Sequence, residues 1–151
     1  MTSIVSYQKH TDSTRTVELR LPNDPQTRSF IGQELCTING VTYVSIPSGA
    51  TLPQQPPEVA ATVQTVTLTD ELREDIKAKS PVVRLIADQM TRQIRSVYSL
   101  DDEMFFARIG VGAASGLYTP SQKEMAEMRD FGAFVEGVRA WGRAERAKLG
   151  L

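Results

Sequence analysis

The chain has 151 residues with 17 basic and 18 acidic side chains, a formal net charge of -1 and a hydrophobic content of 40%; that length fits one domain or two small ones, and the near-neutral balance argues against a general attraction to nucleic acid or anionic membrane. Cys36 is the single cysteine, which excludes an internal disulfide, argues against a Cys-based metal site and suggests a reducing compartment. No apolar run approaches the ~20 residues of a membrane span, and the start of the chain lacks a basic segment followed by an apolar one, so synthesis in the cytosol without a signal peptide is expected.

Ser3-Ile4-Val5-Ser6-Tyr7 predicts a first strand, and the polar run from Lys9 to Thr14 a turn. Thr16 to Leu21 alternates strictly, with Val17, Leu19 and Leu21 on one side and Glu18 and Arg20 on the other, so a second strand is expected there. Pro22-Asn23-Asp24-Pro25 ends it. Leu35-Cys36-Thr37-Ile38 and Val41-Thr42-Tyr43-Val44 flank Asn39-Gly40, a two-residue link suited to a type I′ turn whose central residues need positive φ. Pro47-Ser48-Gly49-Ala50 closes this hairpin. Two hairpins predict about four short strands with open edges and little buried area, a sheet that leans on a partner or another copy of itself.

Leu52-Pro53-Gln54-Gln55-Pro56-Pro57-Glu58 places three prolines in five positions, which neither a helix interior nor a central strand accepts. The expected organisation is a β-rich docking unit over residues 1–51, a Pro-containing linker over 52–66 and a helical unit over 67–151. Residues from Thr67 onward hold 13 of the 17 basic and 13 of the 18 acidic side chains, the mixed charge of solvated helix faces.

Thr69 is a good N-cap, and Asp70, Glu71, Glu74 and Asp75 place negative charge in the turns that follow. Ser80-Pro81 ends that short helix and starts another, with Pro at the tolerated first position. Val83, Ile86, Met90, Ile94 and Val97 recur at spacings of three and four. Ser99 caps a helix from Leu100 to Ile109, anchored by Met104, Phe105, Phe106 and Ile109. Gly110 to Gly116 is expected to be a loop, Thr119-Pro120 the start of the last helix, and Gly150 its stop. In that helix Met128, Phe131, Val135 and Val138 form a seam flanked by Phe134 and Trp141. The fold class expected is α+β: a small antiparallel β-hairpin unit followed by a three- or four-helix unit.

No catalytic set converges. His10, the sole histidine, lies in an expected turn and needs both a nucleophile and a distant acid. Asp101, Asp102 and Glu103 point in different directions on a helix and serve its N-terminal dipole better than a cation. The glycines at 110, 112 and 116 follow a helix, whereas phosphate loops follow a strand. Arg84, Arg92 and Arg95 are interrupted by Asp88, which suits a solvated or partner-facing helix better than phosphate contacts. Cys36 in a strand is expected to act as a small apolar packer. No cofactor or metal is expected.

Ile94-Arg95-Ser96-Val97-Tyr98-Ser99-Leu100-Asp101-Asp102-Glu103, and the ending Phe134 to Gly142 with Ala147 to Leu151, together resemble the helical C-terminal region of small structural proteins of tailed bacteriophages and prophages. The resemblance covers about residues 70–151, rests on caps and packing residues and brings no catalytic residues with it. It implies a virion protein of the tail, baseplate or fibre, made in the host cytoplasm. Such a chain would be a non-enzymatic connector between virion components, a homo-oligomer in a symmetric assembly, with other virion proteins as partners and neither nucleic acid nor membrane. The interaction residues expected are Val41, Tyr43 and Val44 on the sheet and Phe105, Phe106, Phe131, Phe134 and Trp141 on the helices. A tail-assembly chaperone or adaptor, and a small regulator binding DNA through the Arg84–Arg95 helix, are the alternatives.

Overall fold

The computed structural model describes residues 2–151. Its fold is α+β, an antiparallel sheet region followed by helices. The chain divides into two compact units, Met1–Leu85 with Glu145–Leu151 and, separately, Ile86–Ala144.

The first unit holds strands β1 (Thr2–Tyr7), β2 (His10–Thr11), β3 (Thr16–Val17), β4 (Gln33–Ile38), β5 (Val41–Pro47) and β6 (Gln64–Val66). It also holds the short helix α1 (Pro57–Ala60) and helix α2 (Asp70–Lys79). Four strands form one antiparallel sheet in the order β4-β5-β1-β6. The β4–β5 hairpin turns through Asn39 (φ 50°) and Gly40 (φ 80°), the two positive φ angles that an Asn-Gly link supplies.

Thr16 to Leu21 departs from its predicted role. Only Thr16 and Val17 pair, and they pair with β2 in a separate two-stranded ribbon rather than with β1. The turn between those strands is held by Asp12, whose Oδ1 accepts from the Thr14 and Arg15 backbone at 2.7 and 3.0 Å. The alternation itself holds, because Val17, Leu19 and Leu21 all pack into one cluster. Beyond Val17 the backbone partner is a side chain: the Arg20 N–H donates to Gln55 Oε1 at 2.8 Å, and Gln55 Nε2 donates to the Arg20 carbonyl at 3.0 Å and the Pro53 carbonyl at 2.8 Å.

The Pro-rich segment is therefore fastened along its length. Val59 on α1 is fully buried, and β6 completes the sheet beside β1. The sheet also buries more than its size suggested. One cluster gathers Val5, Tyr7, Leu19, Val44, Ile46 and Val59, and another gathers Ile4, Leu35, Cys36, Ile38 and Ile76. Because neighbouring side chains on a strand point to opposite faces, the split between Ile4 and Val5 means that both faces of the sheet are covered by this chain. The expectation of little buried area is corrected for that reason; β4 and β6 are the edge strands of the sheet.

Helix α3 (Pro81–Val97) begins in this unit, and helix α5 (Gln122–Lys148) ends in it. Leu149 and Leu151 pack against the Ile4 cluster. Gly150, at φ 82°, lets the chain turn off the helix as predicted, with the Leu151 N–H on the Arg146 carbonyl and the Gly150 N–H on the Ala147 carbonyl. Thr2 Oγ1 donates to the Lys148 carbonyl at 2.9 Å, and Arg73 to the Gly150 carbonyl at 3.3 Å.

The second unit holds the rest of α3, helix α4 (Leu100–Ala114) and most of α5. Gly142 is buried because Met90 lies where its Cβ would be, so bare backbone is required there.

Candidate docking surface of the helical unit

Tyr98 is the centre of the aromatic packing. Its ring centroid lies 5.0 Å from Phe131, 5.6 Å from Phe134 and 6.2 Å from Phe106, edge-on in each case. Phe106 stacks on Phe131 at 5.1 Å, and Phe105 tilts against Phe106 at 5.7 Å. Edge-to-face and offset pairs of this kind contribute ~0.5–1.5 kcal/mol each beyond area burial. Tyr98 lies outside the expected interaction set, although the sequence carries a signal for it: Ile86, Met90, Ile94 and Tyr98 are four apart, so the stripe continues to Tyr98. Val97, expected in that stripe, is instead exposed.

The other expected residues fall into two groups. Phe106, Phe131 and Phe134 are half-buried and held by one another and Tyr98, whereas Phe105 is exposed at the rim. Trp141 is half-buried on α5. On the sheet, Val44 lies in the core, Tyr43 packs against the Ile4 cluster, and Val41 pairs with Ile38 beside the Asn-Gly turn.

Local chemistry fixes both ends of α4. Ser99 and Asp102 form a reciprocal capping box: the Asp102 N–H donates to Ser99 Oγ at 3.1 Å, and the Ser99 N–H to Asp102 Oδ2 at 2.7 Å. The hydrogen bonds from the Ser99 side chain and backbone hold the Asp102 carboxyl below its ordinary range. At the other end the helix runs through Gly110 and Gly112 to Ala114, so the loop expected at 110–116 is confined to its last residues. Packing explains Gly112, where a Cβ would lie 2.9 Å from Tyr118 Cβ, whereas one on Gly110 would make only ordinary contact with Met128. Gly116, at φ 72°, makes the turn, with the Leu117 N–H on the Gly112 carbonyl and the Gly116 N–H on the Ala113 carbonyl.

The start of α5 also lies elsewhere than expected. Ser121, not Thr119-Pro120, caps it, in a second box where the Ser121 N–H donates to Glu124 Oε2 at 2.7 Å and the Glu124 N–H to Ser121 Oγ at 3.2 Å. Tyr118 Oη donates to the same carboxylate at 2.9 Å. The Ser121 backbone and then the Tyr118 hydroxyl lower the Glu124 pKa.

The face of α4 opposite its packed side is apolar and uncovered. Leu100, Met104, Ala107, Val111 and Ala114 follow spacings of four, three, four and three, and all are exposed. Leu100 is 55%, Met104 62% and Val111 70% exposed, and Leu117 in the following turn is 88% exposed. Phe106, Ile109 and Gly110 are turned the other way and are covered to varying degrees, Ile109 fully. A helix apolar on both sides belongs in an interior. Beside the aromatic cluster a groove of about 390 Å³ is lined by Tyr98, Phe105 and Phe106 with Asp102, Glu127 and Asp130 among its polar walls.

The remaining candidates have structural roles or stand apart. His10 is exposed on β2. Cys36 is buried, and burial pushes its thiol pKa up. Glu103 pairs with Arg95, so neither stands free as a metal ligand or phosphate contact. Among the described residues no group of three or more His, Cys, Asp or Glu is placed to hold a metal ion. Lys9 lies between Glu18 and Glu34, 2.9 Å from each; burial disfavours its charge, but the two carboxylates outweigh that and raise its pKa. No described helix is long and apolar enough to cross a membrane. Neither a family model, nor a curated protein, nor a solved structure matches the chain.

Proposed function

We propose that the chain is a non-enzymatic structural protein of a tailed-phage virion, a connector between components of the tail or baseplate. The observation that carries an assembly role is the uncovered apolar face of α4 with the turn after it. Side chains of that size, left in water along a helix, mark contact with another protein. The resemblance of residues 94–103 and 134–151 to phage structural proteins supplies the setting.

Mass spectrometry of purified particles tests the reading. A virion connector is present at a fixed, symmetry-compatible stoichiometry. Absence from particles, together with recovery on an unassembled tail protein, overturns it in favour of an assembly chaperone. Retention on duplex DNA that weakens steeply with salt would favour a regulator.

A further inference from the structure

We infer that the outward face of α4 is a self-association surface, joining two copies of this chain through an antiparallel α4–α4 contact that crosses at Met104. The inference names a partner for the assembly surface on which the proposed function rests. Its failure and the failure of that function are separable.

Three observations carry it. The first is the spacing. Leu100, Met104, Ala107, Val111 and Ala114 repeat every three and four residues, the period of a helix–helix seam, over the whole of α4. The second is the charge beside the seam. Asp101 and Arg108 lie on the same edge of the stripe, seven residues apart, and among the described residues neither has an ion-pair partner. Glu103, on the other edge, is already held by Arg95. A parallel pair would face the edge bearing Asp101 and Arg108 toward the partner's opposite edge, where Glu103 is already held by Arg95, and so would leave Asp101 and Arg108 without each other. An antiparallel pair crossing at Met104 sets Asp101 of each copy against Arg108 of the other and opposes the two helix dipoles. It also brings Leu100 against Ala107.

The third is area. Leu100, Met104, Val111 and Leu117 together leave on the order of 500 Å² exposed. That lies at the upper end of the ~300–600 Å² of the largest patch on a typical monomer, a patch that is often a contact site. The sheet, by contrast, is covered on both faces by its own chain.

Sedimentation equilibrium of the full chain across a micromolar concentration series tests the contact. A monomer–dimer equilibrium is expected. Met104→Arg, at an exposed position, should weaken the dimer at least ~30-fold and leave unchanged the circular dichroism spectrum and, at concentrations where both proteins are monomeric, the thermal midpoint. Asp101→Arg and Arg108→Asp should each weaken it about 5–10-fold by setting like charges together, and the double exchange should restore it to within about threefold. A chain that stays monomeric at ~200 µM, a dimer indifferent to Met104→Arg, or a double exchange that fails to restore association would each overturn the inference. A dimer is expected whether or not the chain is found in particles. A monomer that is found in particles would leave the virion reading intact and assign the α4 face to a different protein.

Discussion

Pro53, Pro56 and Pro57 deprive the segment opposite Arg20 of the N–H groups a ladder needs, and Gln55 provides a donor and an acceptor from its side chain. Its amide reproduces one rung of an antiparallel pair, giving to the Arg20 carbonyl and taking from the Arg20 N–H. Gln55→Ala leaves both Arg20 groups to water and should lower stability by about 1–2 kcal/mol. Gln55→Glu keeps the acceptor but loses the donor, and should fall between the two. Urea unfolding followed by tyrosine fluorescence measures the order; equal midpoints for all three proteins would show that the rung contributes nothing. This pairing was not legible in the sequence, because a glutamine between prolines has no local pattern that names a partner 35 residues away. Leu19 was legible for the opposite reason, since alternation alone fixes which side chains of a strand turn inward.

At the level of elements, the helices follow from their caps. Thr69, Ser80 and Ser99 stand where the sequence placed them, at the ends of α2, α3 and α4. The exception is α5. Proline at a first helical position is only permitted, whereas Ser121 and Glu124 satisfy two backbone donors at once, and that stronger device sets the start. Glu124 also gives the clearest pH dependence. Its carboxyl is held below the ordinary glutamate range, so the folded chain favours the charged form, and this stabilisation is present above that range and lost as pH falls through it. Glu124→Gln should therefore lower the thermal midpoint at pH 7, with the gap to the parent closing below about pH 4. A gap of constant size from pH 7 to pH 3 would count against the box. The glycines of α4 show the converse limit of sequence reading. Glycine disfavours a helix by only about 1 kcal/mol, and at Gly112 the close approach of Tyr118 outweighs that. The spacing of the exposed α4 stripe is present in the sequence as well, but periodicity alone does not say which of two apolar faces of a helix is packed and which is left open.

On the scale of the whole chain, the sheet-bearing unit is discontinuous, assembled from Met1–Leu85 and Glu145–Leu151. Composition placed the change of character at the prolines, yet α2 and the last residues belong with the strands. Contacts across so great a sequence separation leave no periodic trace. Leu149→Ala should cost about 1–3 kcal/mol by thinning the Ile4–Leu35–Ile76 cluster. Hydrogen exchange checks where the loss falls: faster exchange at the amides of β1 and β5 is expected. Faster exchange confined to the last turn of α5 would refute the coupling.

The same discontinuity sets an order of events during synthesis. The strands leave the ribosome early, but their core lacks Leu149 and Leu151 until the intervening helices have been made. At ~5–20 residues per second, the roughly 60 residues between the two pieces take about 3–12 s to translate. Through that interval the face bearing Ile4, Leu35 and Ile38 is only partly covered. The nascent sheet is then most open to aggregation, and a holding chaperone would have most effect.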